Sequence, residues 1–182
     1  MNAETIESVF TAEEIRQRVQ ALGAVLASDY AGKDPLYLGL SGGSVLFLAD
    51  LVRALDAPVR FEFVPVKYRH PEVAAAEVMD IHYPLPDISE QEIVVVKDVV
   101  HSGVPETYLA SALRERGAAS VRFVALVDMP EERKTDLEVA HSAFSVRRTG
   151  GLVGYGLKHE GRFGNLPFIG RLGPATGGDE GA

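Results

Sequence analysis

The chain contains no cysteine. That excludes a disulfide framework, a thiolate metal site and a cysteine nucleophile. No apolar run approaches the length of a membrane-spanning helix. The first residues, Met1-Asn2-Ala3-Glu4, are acidic and lack an apolar core segment. The reading therefore expects no membrane span, no secretory signal and a cytoplasmic protein. Basic residues are in deficit, 18 against 26 acidic, for a net charge of −8. That argues against general binding to nucleic acid or to an anionic membrane, leaving only a local basic patch open. His82, His141 and His159 show no metal-ligand spacing and read as structural. No internal repeat is visible.

What is present is an ordinary globular composition, with 182 residues, 46% hydrophobic and 24% charged. That length supports one domain with a sizeable core. We place it at residues 9–172, with 1–8 and 173–182 as disordered tails. Thr11 and Glu14 form a capping box with Phe10 and Ile15 as its staple, and Ile15, Val19, Leu22 and Leu26 share one helix face. Leu36 to Leu40 reads as a strand, Ser41-Gly42-Gly43-Ser44 as a tight turn with Ser44 as N-cap, and Val45 to Leu55 as an apolar helix. Val59 to Val66 reads as a strand, Lys67-Tyr68-Arg69-His70 as a basic cluster, Pro71 to Glu77 as a short helix and Val78 to Tyr83 as an edge strand. Further strands are expected over Val121–Val127, Leu137–Phe144 and Leu152–Tyr155. Strands alternating with helices predict an α/β fold, a mostly parallel twisted sheet flanked by helices. Ligands of such sheets sit beyond the carboxyl ends of the strands, here the loops after Leu40, Val66, Val100 and Val127.

The most informative stretch is Ile93-Val94-Val95-Val96-Lys97-Asp98-Val99-Val100-His101-Ser102-Gly103-Val104-Pro105. Its apolar run suits a central strand covered on both faces. The Ser-Gly turn then places the amides of Ser102, Gly103 and Val104 at a helix start at Pro105, a ready phosphate site.

This stretch resembles the phosphoribosyl-pyrophosphate signature of type I phosphoribosyltransferases, in which a strand runs into Glu-Asp, two apolar residues and Asp-Thr-Gly-x-Thr. Asp98 and Gly103 match. Lys97 stands for Glu, His101 for the second Asp, Ser102 for Thr and Pro105 for the last Thr. Three further stretches resemble the hypoxanthine/guanine branch: Leu38 to Leu51 its pyrophosphate loop and helix, Val124 to Lys134 its strand ending in Asp-Lys-Pro, and Val153–Leu157 with Asn165–Gly170 its C-terminal hood. The resemblance covers roughly residues 9–172. It implies a small hood made by the terminal segments, transfer of a phosphoribosyl group to a purine, Mg²⁺ as cofactor if the chain is catalytic, and pairing into a homo-oligomer. By the same resemblance, Asp98, Ser102, Gly103 and Val104 bind phosphate and ribose, with Asp98 also a metal ligand, and Lys97, in place of the family's Glu, joins them as a candidate cation for phosphate. Gly42 and Gly43 form the pyrophosphate loop, and Met129 and Leu152 border the base.

Several matched places lose functional groups. Gly42 stands for the loop's lysine, Met129 for the lysine that donates to the purine, Lys158 for an Asp that helps hold magnesium, and Gly164 for a pyrophosphate-binding Arg. The purine-stacking aromatic falls near Gly151. A Met cannot donate a hydrogen bond. The transfer passes through an oxocarbenium-like state, so lost cationic groups each cost about 10²-fold. His101 offers an acid or base near neutral pH, against the alternative of a solvent-facing loop histidine. Lys97 is either a phosphate cation or a solvated lysine, and Asp98 either a ribose or metal ligand or a carboxylate capping a neighbouring amide. Three readings stay open: a purine phosphoribosyltransferase, with phosphoribosyl pyrophosphate as substrate and altered or weak activity, a non-catalytic relative that binds a nucleotide or phosphate and acts through a partner or as a regulator, and a structural interaction module.

Overall fold

A computed structural model describes residues 5–40, 42–64, 66–69, 78–81, 86–147 and 150–173. Its core is a five-stranded, wholly parallel sheet. In spatial order the strands are β3 (Arg60–Val64), β2 (Leu36–Leu40), β6 (Glu92–Val100), β7 (Ser120–Asp128) and β8 (Val139–Ser145). Helices α1 (Ala12–Asp29) and α2 (Ser44–Ala54) cover one face and α3 (Val104–Glu115) the other.

The central strand shows why. Ile93, Val94, Val95 and Val96 have no exposed surface. Successive side chains of a strand point to opposite faces. Val94 and Val96 join Leu22, Leu26, Phe47 and Leu51 beneath α1 and α2, while Ile93 and Val95 join Leu109 and Leu113 of α3. Such an unbroken apolar run is the pattern of a parallel strand buried on both sides. Helix α1 starts at the expected capping box. Thr11 Oγ1 accepts from the Glu14 N–H at 3.2 Å, and Glu14 Oε2 accepts from the Thr11 N–H at 2.8 Å.

The terminal segments differ from the sequence reading. Residues 6–8, expected within a disordered tail, belong to β1 (Ile6–Phe10), which pairs antiparallel with β10 (Ile169–Leu172). The Gly173 N–H donates to Thr5 O at 2.8 Å. Strand β9 (Leu152–Val153) completes this small antiparallel sheet. The partners lie at opposite ends of the chain, so a polar local composition carried no sign of them.

Smaller corrections follow the same logic. Ser44 is not the N-cap of α2. Gly43 holds that place, and the Ser44 hydroxyl, wholly buried, donates to the Leu40 carbonyl. The strand expected over Val59–Val66 ends at Val64. Val66–Arg69 forms β4, an antiparallel hairpin with β5 (Val78–Ile81), so most of the basic cluster lies on a strand. His70 and the expected helix over Pro71–Glu77 lie outside the described residues.

Candidate functional site

The loops at the carboxyl ends of β2, β6 and β7 converge with the hood. After β6, His101-Ser102-Gly103 turns into α3. Gly103 adopts φ 75, in the left-handed region. A Cβ there would come within 2.6 Å of Thr135 Oγ1 and 2.8 Å of Arg133 Cδ, so glycine is required both by conformation and by space. Its carbonyl accepts from the Thr107 N–H at 2.9 Å and from Thr107 Oγ1 at 2.8 Å. The Val104 N–H points to Ser102 Oγ at 3.4 Å. Among the described residues, no acceptor engages the N–H of Ser102 or Gly103. Free amides at a helix start form an anion nest.

The turn is clamped from the β7 side by Arg133 and Lys134, which the sequence reading had not singled out, and by Met129. Arg133 Nη1 donates to the His101 carbonyl at 3.0 Å, and the same guanidinium pairs with Asp128. The Lys134 N–H donates to Ser102 O at 2.8 Å, and the Met129 N–H to Val100 O at 3.0 Å.

Beside this turn lies a cleft of about 420 Å³ lined by Gly43, Asp98, His101, Leu152, Lys158 and His159, with the backbone of Gly151 and Gly156. Close approach explains its glycines. A Cβ on Gly43 would run into Asp98 Oδ2, and one on Gly156 (φ 95) into the Gly43 carbonyl. The hood therefore meets the loop after β2 backbone to backbone, and that loop meets the Asp98 side chain of β6. Tyr155 anchors the hood: its hydroxyl donates to Asp50 Oδ2 at 2.5 Å. Burial, followed by this bond, pushes the phenol's pKa well up.

Of the predicted residues, Asp98, His101, Gly43 and Leu152 come together in the cleft. Ser102, Gly103 and Val104 form the turn next to it. Gly42, at φ 119, is exposed and lies outside the lining. Met129 is wholly buried and contributes nothing to the cleft surface. Lys97 is not a solvated lysine. It is 6% exposed, with Nζ 3.4 Å from Asp98 Oδ1 and 3.6 Å from Oε1 of Glu106, itself 4% exposed. Asp98 does cap a neighbouring amide, accepting from the Val99 N–H at 2.9 Å through Oδ1, while its carboxylate also faces the cleft. A larger hollow of about 880 Å³ lies beneath α3, beside Arg114, Phe123 and Leu137, and none of the predicted site residues lines it.

The residues present do not fit a magnesium ion held by the protein. Mg²⁺ takes oxygen ligands, normally carboxylates together with substrate phosphate. The cleft offers one carboxylate, Asp98, already close to an ammonium, and a second ammonium, that of Lys158, is also in its lining. Among the described residues no cluster of His, Asp or Glu could hold a metal.

An open parallel sheet with unengaged turn amides at its carboxyl edge defines an α/β protein of the kind that holds its ligand beyond the strand ends. The comparisons narrow this class. The sequence pattern of the phosphoribosyl transferase domain matches residues 5–159. The hypoxanthine-guanine phosphoribosyltransferase of Bacillus subtilis is 36% identical over 173 residues, 94% of this chain and 96% of the relative. That of Streptococcus pneumoniae is 35% identical over 161 residues, 88% of this chain and 89% of the relative. A solved hypoxanthine phosphoribosyltransferase from Staphylococcus aureus superposes with a TM-score of 0.85 at 30% identity, covering 92% of this chain and 91% of that one. The chain belongs to the type I phosphoribosyltransferase family, in the branch of these relatives.

Proposed function

We propose that the protein transfers the phosphoribosyl group of phosphoribosyl pyrophosphate to a purine base of the hypoxanthine or guanine kind, with altered or weak activity, in the cytoplasm and as a homo-oligomer. The carrying observation is the cleft at the carboxyl edge of β6, where Asp98 and His101 face Leu152 beside a clamped, glycine-dependent turn. The activity named for the two bacterial relatives supports the choice of base, and their similarity spans nearly the whole chain.

In this reading the amides of Ser102, Gly103 and Val104 hold the 5′-phosphate. Asp98 holds a ribose hydroxyl, and the backbone at Gly42 and Gly43 faces the diphosphate. Lys97, buried between two carboxylates, sets the position of Asp98 rather than touching phosphate. Leu152 packs on the base. The bond from ribose C1′ to the diphosphate oxygen breaks, a bond from C1′ to a purine nitrogen forms, and the departing purine proton passes to the His101 imidazole. The diphosphate leaves with the electron pair of the broken bond.

The test is nucleotide formation from phosphoribosyl pyrophosphate and hypoxanthine, guanine or xanthine in the presence of Mg²⁺. His101→Ala is expected to lower kcat by about 10²-fold or more. A second reading, a non-catalytic nucleotide binder acting through another protein, is favoured by the burial of Met129 at the purine-contact position. No turnover, combined with nucleotide binding that Ser102→Pro abolishes, would select it.

A further inference from the structure

We propose that the cleft takes its diphosphate-bearing ligand as the metal-free anion, with Lys158 supplying the charge that a divalent cation would otherwise supply. The proposal deepens the reading of this cleft as a phosphoribosyl pyrophosphate site and rests on it.

The cleft is lined by one carboxylate, Asp98, and one lysine, Lys158. Its carboxylate, Asp98, has one oxygen bonded to the Val99 N–H at 2.9 Å and lying 3.4 Å from Lys97 Nζ. A divalent cation placed there would sit close to that ammonium and meet few oxygen ligands. Lys158, His159 and His101 line the same cleft. Lys158 is exposed, and among the described residues no carboxylate pairs with it. An ammonium in this position is a point charge for phosphate oxygens.

The placement of Lys158 is built into the hood. The Gly156 N–H donates to Gly164 O at 2.8 Å. His159 and Arg162 exchange backbone hydrogen bonds at 3.2 and 2.9 Å, closing a tight hairpin just after Lys158. The lysine stem then runs over Gly164. A Cβ on Gly164 would lie 2.9 Å from Lys158 Cγ and 3.2 Å from Cε. Glycine at 164 thus leaves the track that the stem occupies, so the two positions work as a pair.

The experiment is calorimetric titration of the full chain with inorganic pyrophosphate and with phosphoribosyl pyrophosphate, in EDTA and then in Mg²⁺. The wild type is expected to bind in EDTA. Lys158→Ala should weaken binding by roughly tenfold to a hundredfold. Gly164→Ala, which crowds the stem, should weaken it in the same direction. Lys33→Ala removes an exposed lysine elsewhere and should leave binding unchanged. Lys158→Asp should bind only with Mg²⁺. Wild-type binding that vanishes in EDTA, or binding indifferent to Lys158→Ala, overturns the proposal. Nucleotide formation is scored separately. Metal-free binding without transfer rejects the transferase reading alone, and transfer with strictly Mg²⁺-dependent binding rejects this proposal alone.

Discussion

Glu106 and Lys97 give the sharpest energetic test. Both are almost wholly buried, at 4% and 6% exposure, and their charged atoms lie 3.6 Å apart. At that separation the contact is an ion pair without a direct hydrogen bond. Removing one partner leaves a buried ammonium undercompensated, at a cost of about 3–5 kcal/mol. For a protein of this length each kcal/mol moves Tm by about 2–4 °C. Glu106→Leu should therefore lower Tm by about 6–20 °C. The double variant Lys97→Met/Glu106→Leu replaces the pair with apolar groups of similar size. It should recover most of that loss, because apolar replacement of a buried pair is often neutral or stabilising by about 1–4 kcal/mol. Urea unfolding of the wild type, both single variants and the double variant measures the coupling directly. The single variant should also weaken ligand binding, since Lys97 would be drawn towards Asp98, 3.4 Å away. A loss below about 1 kcal/mol in Glu106→Leu, within the range of an exposed pair, would refute the reasoning.

Three further outcomes are expected. Gly103→Ala forces a side chain into φ 75 and against Thr135 and Arg133, and should cost about 1–3 kcal/mol and weaken nucleotide monophosphate binding, read by urea midpoint and calorimetry. Thr11→Ala breaks the capping box of α1 and should lower the urea midpoint by an amount equal to about 1 kcal/mol. Burial pushes the Tyr37 phenol up to about 12 from an ordinary value of 10.0. The folded state then holds this proton more tightly than the unfolded chain, so the contribution is complete below pH 10 and is lost as pH rises towards 12. Unfolding midpoints measured across that range should fall less steeply in Tyr37→Phe.

The parts of the fold that were legible are those where local pattern and burial agree. The run Ile93–Val96 announced a strand covered on both faces, and Thr11 with Glu14 announced the start of α1. The pairing of β1 with β10 was hidden because strand partners from opposite ends leave no periodicity. The placement of Asp98 and His101 in one cleft, with Gly103 in the turn beside it, was legible from the strand end and the Ser-Gly turn that follow one another in the sequence. The solvated alternative for Lys97 fails because Asp98 and the buried Glu106 on the next helix, whose contact no local sequence pattern marks, help make its burial tolerable. Arg133 was missed because its partner, the His101 carbonyl, is a backbone atom that no side-chain pattern marks.

The most direct measurement is a crystal structure of the protein with a purine nucleoside monophosphate. The phosphate is expected within hydrogen-bonding distance of the N–H groups of Ser102 and Gly103, with the ribose beside Asp98 and the base against Leu152. A phosphate bound anywhere else, with this turn left in contact only with solvent, would contradict the account.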